Sequence, residues 1–147
     1  MTRRLTDELA RKAWGVVEGV VEGVVHNHST IASSFATLAR NLPADLQASG
    51  LMATVSVLQA HRKDNNEHAL VLSGLSAALD APNVGLDGGQ LTTTALLGLS
   101  EEQRRLAQRI AVEYAVWLKR ASDAVIGTAS GRGGRGRGEE NDQEEQA

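Results

Sequence analysis

Cysteine is missing from all 147 residues, which removes disulfides, thiol nucleophiles and thiolate metal sites in one step. Without a disulfide framework, an intracellular, cytoplasmic setting is the expectation. Aromatic residues supply only 3% of the chain against 41% apolar residues in all, so the core has to be assembled from Val, Leu and Ala. Side chains of that size suit close-packed helices better than a sandwich with a large aromatic centre. A long apolar run is lacking as well. The most apolar stretch, "GVVEGVVEGVV", carries Glu18 and Glu22 and falls short of the ~20 residues that a spanning helix needs. The N-terminal "MTRRLTDELARK" places no apolar segment behind its basic residues, as a signal peptide would. These absences predict a soluble protein.

A dominant charge is also missing. The net charge is −3, and the three arginines and five acids of residues 131–147 account for −2 of it. The rest is nearly balanced and generates no field able to capture nucleic acid alone. A chain of this length is one domain's worth, long enough to bury a real core.

What is present is helical periodicity. At about 100° per residue, Leu9, Ala13, Val16, Val17, Val20, Val21 and Val24 share one broad arc, with Glu8, Arg11, Glu18 and Glu22 opposite. The same phase runs on through Ile31, Phe35, Leu38 and Leu42, which predicts one long helix from about 6 to 41. Gly15, Gly19 and Gly23 form a flanking stripe. Each costs about 1 kcal/mol of helix propensity against Ala, and the expected return is close approach of a neighbouring helix.

Only two prolines occur, and Pro43 sits in "RNLPADLQASGLMATVSVLQAHRK". A proline pushes its predecessor out of the helical region and is well tolerated at the first position of a new helix. The expectation is a corner at Pro43, followed by a helix with Leu46, Gly50, Ala53 and Val57 on one face. Gly50 would then bend that helix or admit a second backbone. Downstream, "NNEHALVLSGLSAALD" predicts a helix with an Asn cap and with Leu70, Leu75, Ala78 and Leu79 inward. "APNVGLDGG" reads as a loop around Pro82, and "QLTTTALLGL" as a short helix. Ser100 and Gln103 form a capping-box signature that opens a last helix over 101 to about 126, closed by Gly127. Its inward face is Leu106, Ile110, Tyr114, Trp117 and Ala121. The fold class is all-α: a single bundle of about five to six helices over residues 1–127, with one long N-terminal helix. The remaining 128–147, an Arg-Gly run and then an acidic run, are expected to be disordered because they have nothing to bury.

Catalytic signatures are sparse. Of the four histidines, His26 stands at i+4 from Glu22, but the paired Glu-x-x-His motifs of di-iron bundles and the spacings of zinc sites are absent. His28, His61 and His68 read as surface residues. The expectation is no enzyme, no metal and no cofactor. Nucleic acid is the stronger candidate. Arg105, Arg109 and Arg120 fall within about 60° of one another on the last helix, with Lys119 beside the strip. Arg62 and Lys63 end an earlier helix, where cations also complement the helix dipole. Arg3, Arg4, Arg11 and Lys12 make the first dozen residues locally basic. The Arg-Gly run at 131–138 is of the kind that binds single-stranded RNA by charge and stacking. Arg62, Lys63, Arg105, Arg109, Lys119 and Arg120 are therefore the candidate RNA-binding residues.

"FATLARNLPADLQASGLMATVSVLQAHRK", with Leu42-Pro43 and Gly50-Leu51, resembles a segment of the small α-helical subunit of type III-B CRISPR effector complexes, the fifth protein of the Cmr module. "LSEEQRRLAQRIAVEYAVWLKRASDAV", with Trp117-Leu118-Lys119-Arg120, is similar to that family's C-terminal helix, and "DELARKAWGVVEGV" to its N-terminal one. The likeness covers about residues 5 to 126, leaving the tail outside the family pattern. The resemblance implies a non-catalytic helical bundle that stacks with copies of itself as a minor filament along the backbone subunits of a ribonucleoprotein. There it would help hold guide RNA paired with target RNA, while cleavage belongs to the backbone subunit. The equivalent subunit of a type III-A or other CRISPR complex, and a free-standing RNA-binding adaptor working through the Arg-Gly tail, are the alternatives.

Overall fold

Small apolar side chains at helical spacing can be buried only by laying helix on helix, and the chain does this. The computed structural model describes residues 3–26, 29–81, 83–86 and 91–127. They form α1 (Arg3–His26), α2 (Ser29–Ser49), α3 (Leu51–His61), α4 (Glu67–Ala78), α5 (Thr93–Leu97) and α6 (Glu101–Ser122), the last continued by a π-helical segment, Asp123–Gly127. No strand occurs among the described residues. Pro82 and the tail from residue 128 onward, to which the expectation of disorder applied, lie outside them.

α6 is the axis of the bundle, packed by α1, α2, α3 and α4. The chain's only Phe and only Tyr, Phe35 and Tyr114, are both fully buried, and the rest of the core is Leu, Val, Ala and Ile. α1, with 24 residues, is the expected long N-terminal helix and buries Leu9, Ala13, Val17 and Val20. It does not run on to 41. Thr6 of α1 bonds Glu113 of α6, and Arg40 of α2 pairs with Asp123 just beyond α6. Positions 113 and 123 are ~15 Å apart along a helix, whereas Thr6 and Arg40 in one straight helix would be ~51 Å apart. The chain therefore reverses between α1 and α2. The apolar phase carries across the reversal because both helices face the same partner.

The corner moves from Pro43 to Gly50. α2 runs through Pro43 to Ser49, and the break falls at Gly50, whose φ of 88° is the left-handed region that glycine enters without cost. A Cβ at Gly50 would meet nothing within 4 Å, so backbone conformation alone explains the glycine, and no second backbone approaches. An interior proline costs a helix ~3 kcal/mol. Fully burying Leu42 and Leu46 on either side of it returns ~1.5–3 kcal/mol apiece. Gln108 of α6 seals the corner: its Oε1 accepts from the Leu51 N–H at 2.7 Å and its Nε2 donates to the Leu46 carbonyl at 2.8 Å. One amide thus gives the Leu51 N–H its acceptor and the Leu46 carbonyl a second donor beside the Gly50 N–H. Because α3 restarts at Gly50, its phase differs from the one extrapolated from Pro43. Leu51, Thr54, Val55 and Leu58 are buried, while Ala53 and Val57 are exposed.

The other ends follow the sequence. Asn66 Oδ1 accepts from Ala69 N–H at 2.9 Å, Thr92 Oγ1 from Ala95 N–H at 3.0 Å, and Ser100 with Gln103 closes a capping box. In the glycine stripe of α1, Gly15 and Gly19 do not serve close packing among the described residues, since both are exposed with open space where a Cβ would go.

Candidate nucleic-acid interface

α6 divides its two faces cleanly. Ala107, Ile110, Ala111, Tyr114, Ala115, Leu118 and Ala121 are buried against the other helices, whereas Arg105, Arg109, Lys119 and Arg120 are exposed. Small alanines on the inner face let neighbouring helices come close, which fixes α6 and presents its outer cations on a rigid support. Arg62 and Lys63 are also exposed, directly after α3.

The outer face holds a groove of about 510 Å³ between α1 and α6, lined by Thr6, Arg109, Val112, Glu113, Val116, Trp117 and Arg120. Its floor is apolar, from Val112, Val116 and the partly buried Trp117. Arg109 and Arg120 lie three turns apart along the helix and bring a guanidinium to either end. The Arg120 guanidinium sits 4.9 Å from the centroid of the Trp117 ring, a cation–π contact that restrains both side chains. Thr6 Oγ1 donates to Glu113 Oε1 at 3.0 Å, tying the one acid of the groove to the α1 wall.

The six candidate residues therefore do not form one cluster. Arg109 and Arg120 share the groove. Arg105 stands one turn before Arg109 and donates to Glu101 at 2.8 Å, a pair so exposed that it contributes little to stability. Lys119 flanks Arg120 without lining the groove. Arg62 and Lys63 sit at the C-terminal end of α3, whereas α3 bonds to α6 through Leu51 at its other end. Among the described residues no ion pair engages Arg62, Lys63, Arg109 or Lys119.

The sequence pattern puts Trp117 on the inward face and gives Val112 and Val116 no part, whereas all three line the groove. The signal was available: 109, 112, 113, 116, 117 and 120 are successive i+3 and i+4 steps on one side of α6. What the pattern could not supply was the α1 wall at Thr6, a contact between residues 107 apart in sequence.

Other chemistry is scarce. His61 and His68 stack at 5.3 Å between ring centroids, and His68 Nδ1 lies 3.3 Å from Glu67. Among the described residues, no three His, Asp or Glu side chains converge as a metal site would require. Nor is any described helix long and apolar enough to cross a membrane.

No curated protein matches the chain. The family model described as CRISPR-associated protein (Cas_Cmr5) matches residues 5–125, which spans the helical bundle almost from end to end and stops short of the tail.

Proposed function

The chain belongs to the CRISPR-associated protein (Cas_Cmr5) family, and from that premise we propose that it is a non-catalytic small subunit of a type III-B RNA-guided effector ribonucleoprotein. In that role it stacks with copies of itself beside the backbone subunits and helps to position guide RNA paired with target RNA for antiviral defence. The observation that carries the reading is the family match over the whole bundle. The outer face of α6 supports the RNA part of it. Arg109, Arg120, Lys119 and Arg105 line a rigid helix, where they can meet phosphates without reading bases. A nearly balanced chain holds RNA poorly by itself, so the contact works through repetition along an assembly.

The test is charge reversal in the assembled complex. Arg105→Glu with Arg109→Glu should leave the subunit composition intact and weaken capture of target RNA. The salt slope of binding should fall by ~1 for each phosphate that is no longer neutralised. Capture and salt slope both unchanged would remove this face from the RNA path.

A further inference from the structure

The groove on α6 and the acidic end of the chain are complementary. We propose that residues 139–145 dock in cis on the cationic rim of the groove, at Arg109 and Arg120, and hold that rim against other polyanions. On the groove side, Arg109 and Arg120 face solvent at either end of the floor of Val112, Val116 and Trp117. Glu113 is the one opposing charge, and Thr6 holds it toward the α1 wall. On the tail side, Glu139, Glu140, Asp142, Glu144 and Glu145 place five negative charges within seven positions, with no apolar side chain among them. Arg132, Arg135 and Arg137 can neutralise three of these locally. Two negative charges are left over, matching the two guanidiniums of the rim.

The distances agree. From Gly127, where the described helix ends, Arg120 is ~10 Å back along α6 and Arg109 ~27 Å back. The tether, residues 128–138, has the sequence TASGRGGRGRG and contains five glycines. A Gly-rich tether of that length has an r.m.s. span of ~18–20 Å and an extended reach of ~36 Å. Its average span falls between the two arginines, which puts the acidic segment at an effective concentration on the millimolar scale. Contacts between exposed charges are individually weak and screened by salt, so the docking is reversible and disappears at high ionic strength. The docking stands independently of the RNA reading. Its consequence, competition between tail and RNA, rests on that reading.

The experiment is 19F NMR of the chain carrying 5-fluorotryptophan at its only two tryptophans, Trp14 and Trp117, assigned with Trp117→Phe. The full chain is compared with one ending at Gly138, at ~50 mM and ~1 M salt. At low salt the Trp117 resonance should differ between the two chains while Trp14 stays still. High salt should abolish the difference, as should Arg120→Gln, and a synthetic 139–147 peptide added at millimolar concentration to the shortened chain should restore it. Identical Trp117 resonances in both chains at low salt would overturn the proposal. Titration with oligouridylate then separates the two readings. A several-fold gain in affinity on removing 139–147, together with the Trp117 shift, is the expected result. A Trp117 shift with no RNA binding by either chain upholds the docking and counts against RNA contact. A gain in affinity with Trp117 unmoved overturns the docking in favour of long-range repulsion.

Discussion

The hydroxyl of Tyr114 fills the space that a side chain at Gly74 would need. A Cβ built on Gly74 would overlap that oxygen and come within 3.3 Å of the ring carbon that bears it. The hydroxyl is fully buried and has no hydrogen-bond partner among the described residues. α4 and α6 are thus fitted by shape at this point, at the expense of an unsatisfied donor. Gly74→Ala should destabilise the bundle by ~1–3 kcal/mol through overpacking. Tyr114→Phe should be neutral or stabilising, by up to ~1–3 kcal/mol, because it removes a buried group without a partner. In the double variant part of the Gly74→Ala loss should return. Thermal and urea unfolding of the four chains, treated as a double-mutant cycle, checks this, and strict additivity would contradict it.

The same burial gives a pH signature. Desolvation raises the Tyr114 pKa well above its ordinary value of 10.0. With the folded value above the unfolded one, the unfolded chain releases the proton first. The contribution is therefore fully present below about pH 10 and declines as pH rises beyond it. The stability of the parent chain should fall more steeply above pH 10 than that of Tyr114→Phe. Parallel urea-midpoint curves from pH 8 to 11 would show the difference, and coincident slopes would argue against a buried phenol.

The corner makes opposite predictions for two residues seven positions apart. Gly50→Ala should cost ~1–3 kcal/mol, all of it from the positive-φ backbone (φ 88°, ψ 164°), since a methyl there meets nothing. Pro43→Ala should stabilise by ~1–3 kcal/mol, because the proline lies inside a continuous helix. Gln108→Leu should cost ~1–3 kcal/mol by stranding the Leu51 N–H, whereas the Leu46 carbonyl keeps its bond from the Gly50 N–H. Denaturant unfolding decides. A destabilising Pro43→Ala with a neutral Gly50→Ala would put the corner back at the proline.

On α1, Gly15 and Gly19 sit mid-helix with open space around them. Gly15→Ala and Gly19→Ala should each raise the stability of the isolated chain by ~0.5–1 kcal/mol. A fall in stability of the isolated chain, measured by thermal unfolding, would mean that a neighbouring element packs there after all.

These residues also mark how far the sequence could be read. The all-α class, the caps at Asn66 and Ser100, and the burial of Leu75, Ala78, Leu79, Ile110, Tyr114 and Ala121 follow from local spacing, and each is in place, whereas the buried Val71, Leu72 and Leu118 fall outside the predicted faces. The Leu70, Leu106 and Trp117 positions are edges of the core rather than its centre. What failed depended on distance. The reversal between α1 and α2 has no glycine or proline to announce it. Pro43 carries the strongest local signal for a break, yet burial on both sides outweighs it. Gly50 is expected to bend a helix or admit a second backbone; instead its φ ends one helix and opens the next. The groove could be half seen, as a strip of arginines, because i+3 and i+4 spacing is local. Its α1 wall and the Gln108 clamp join segments far apart in sequence, and no periodicity encodes them.

The central claim is that this bundle works inside an RNA-guided complex, and native affinity purification of the tagged full chain from its host, with sequencing of the co-purified RNA, tests it most directly. The predicted result is several stoichiometric partner proteins together with short RNAs that share a constant, repeat-derived end. A lone protein, or heterogeneous cellular RNA that disappears when residues after Ser130 are removed, would contradict it and point instead to a free-standing adaptor acting through the Arg-Gly tail.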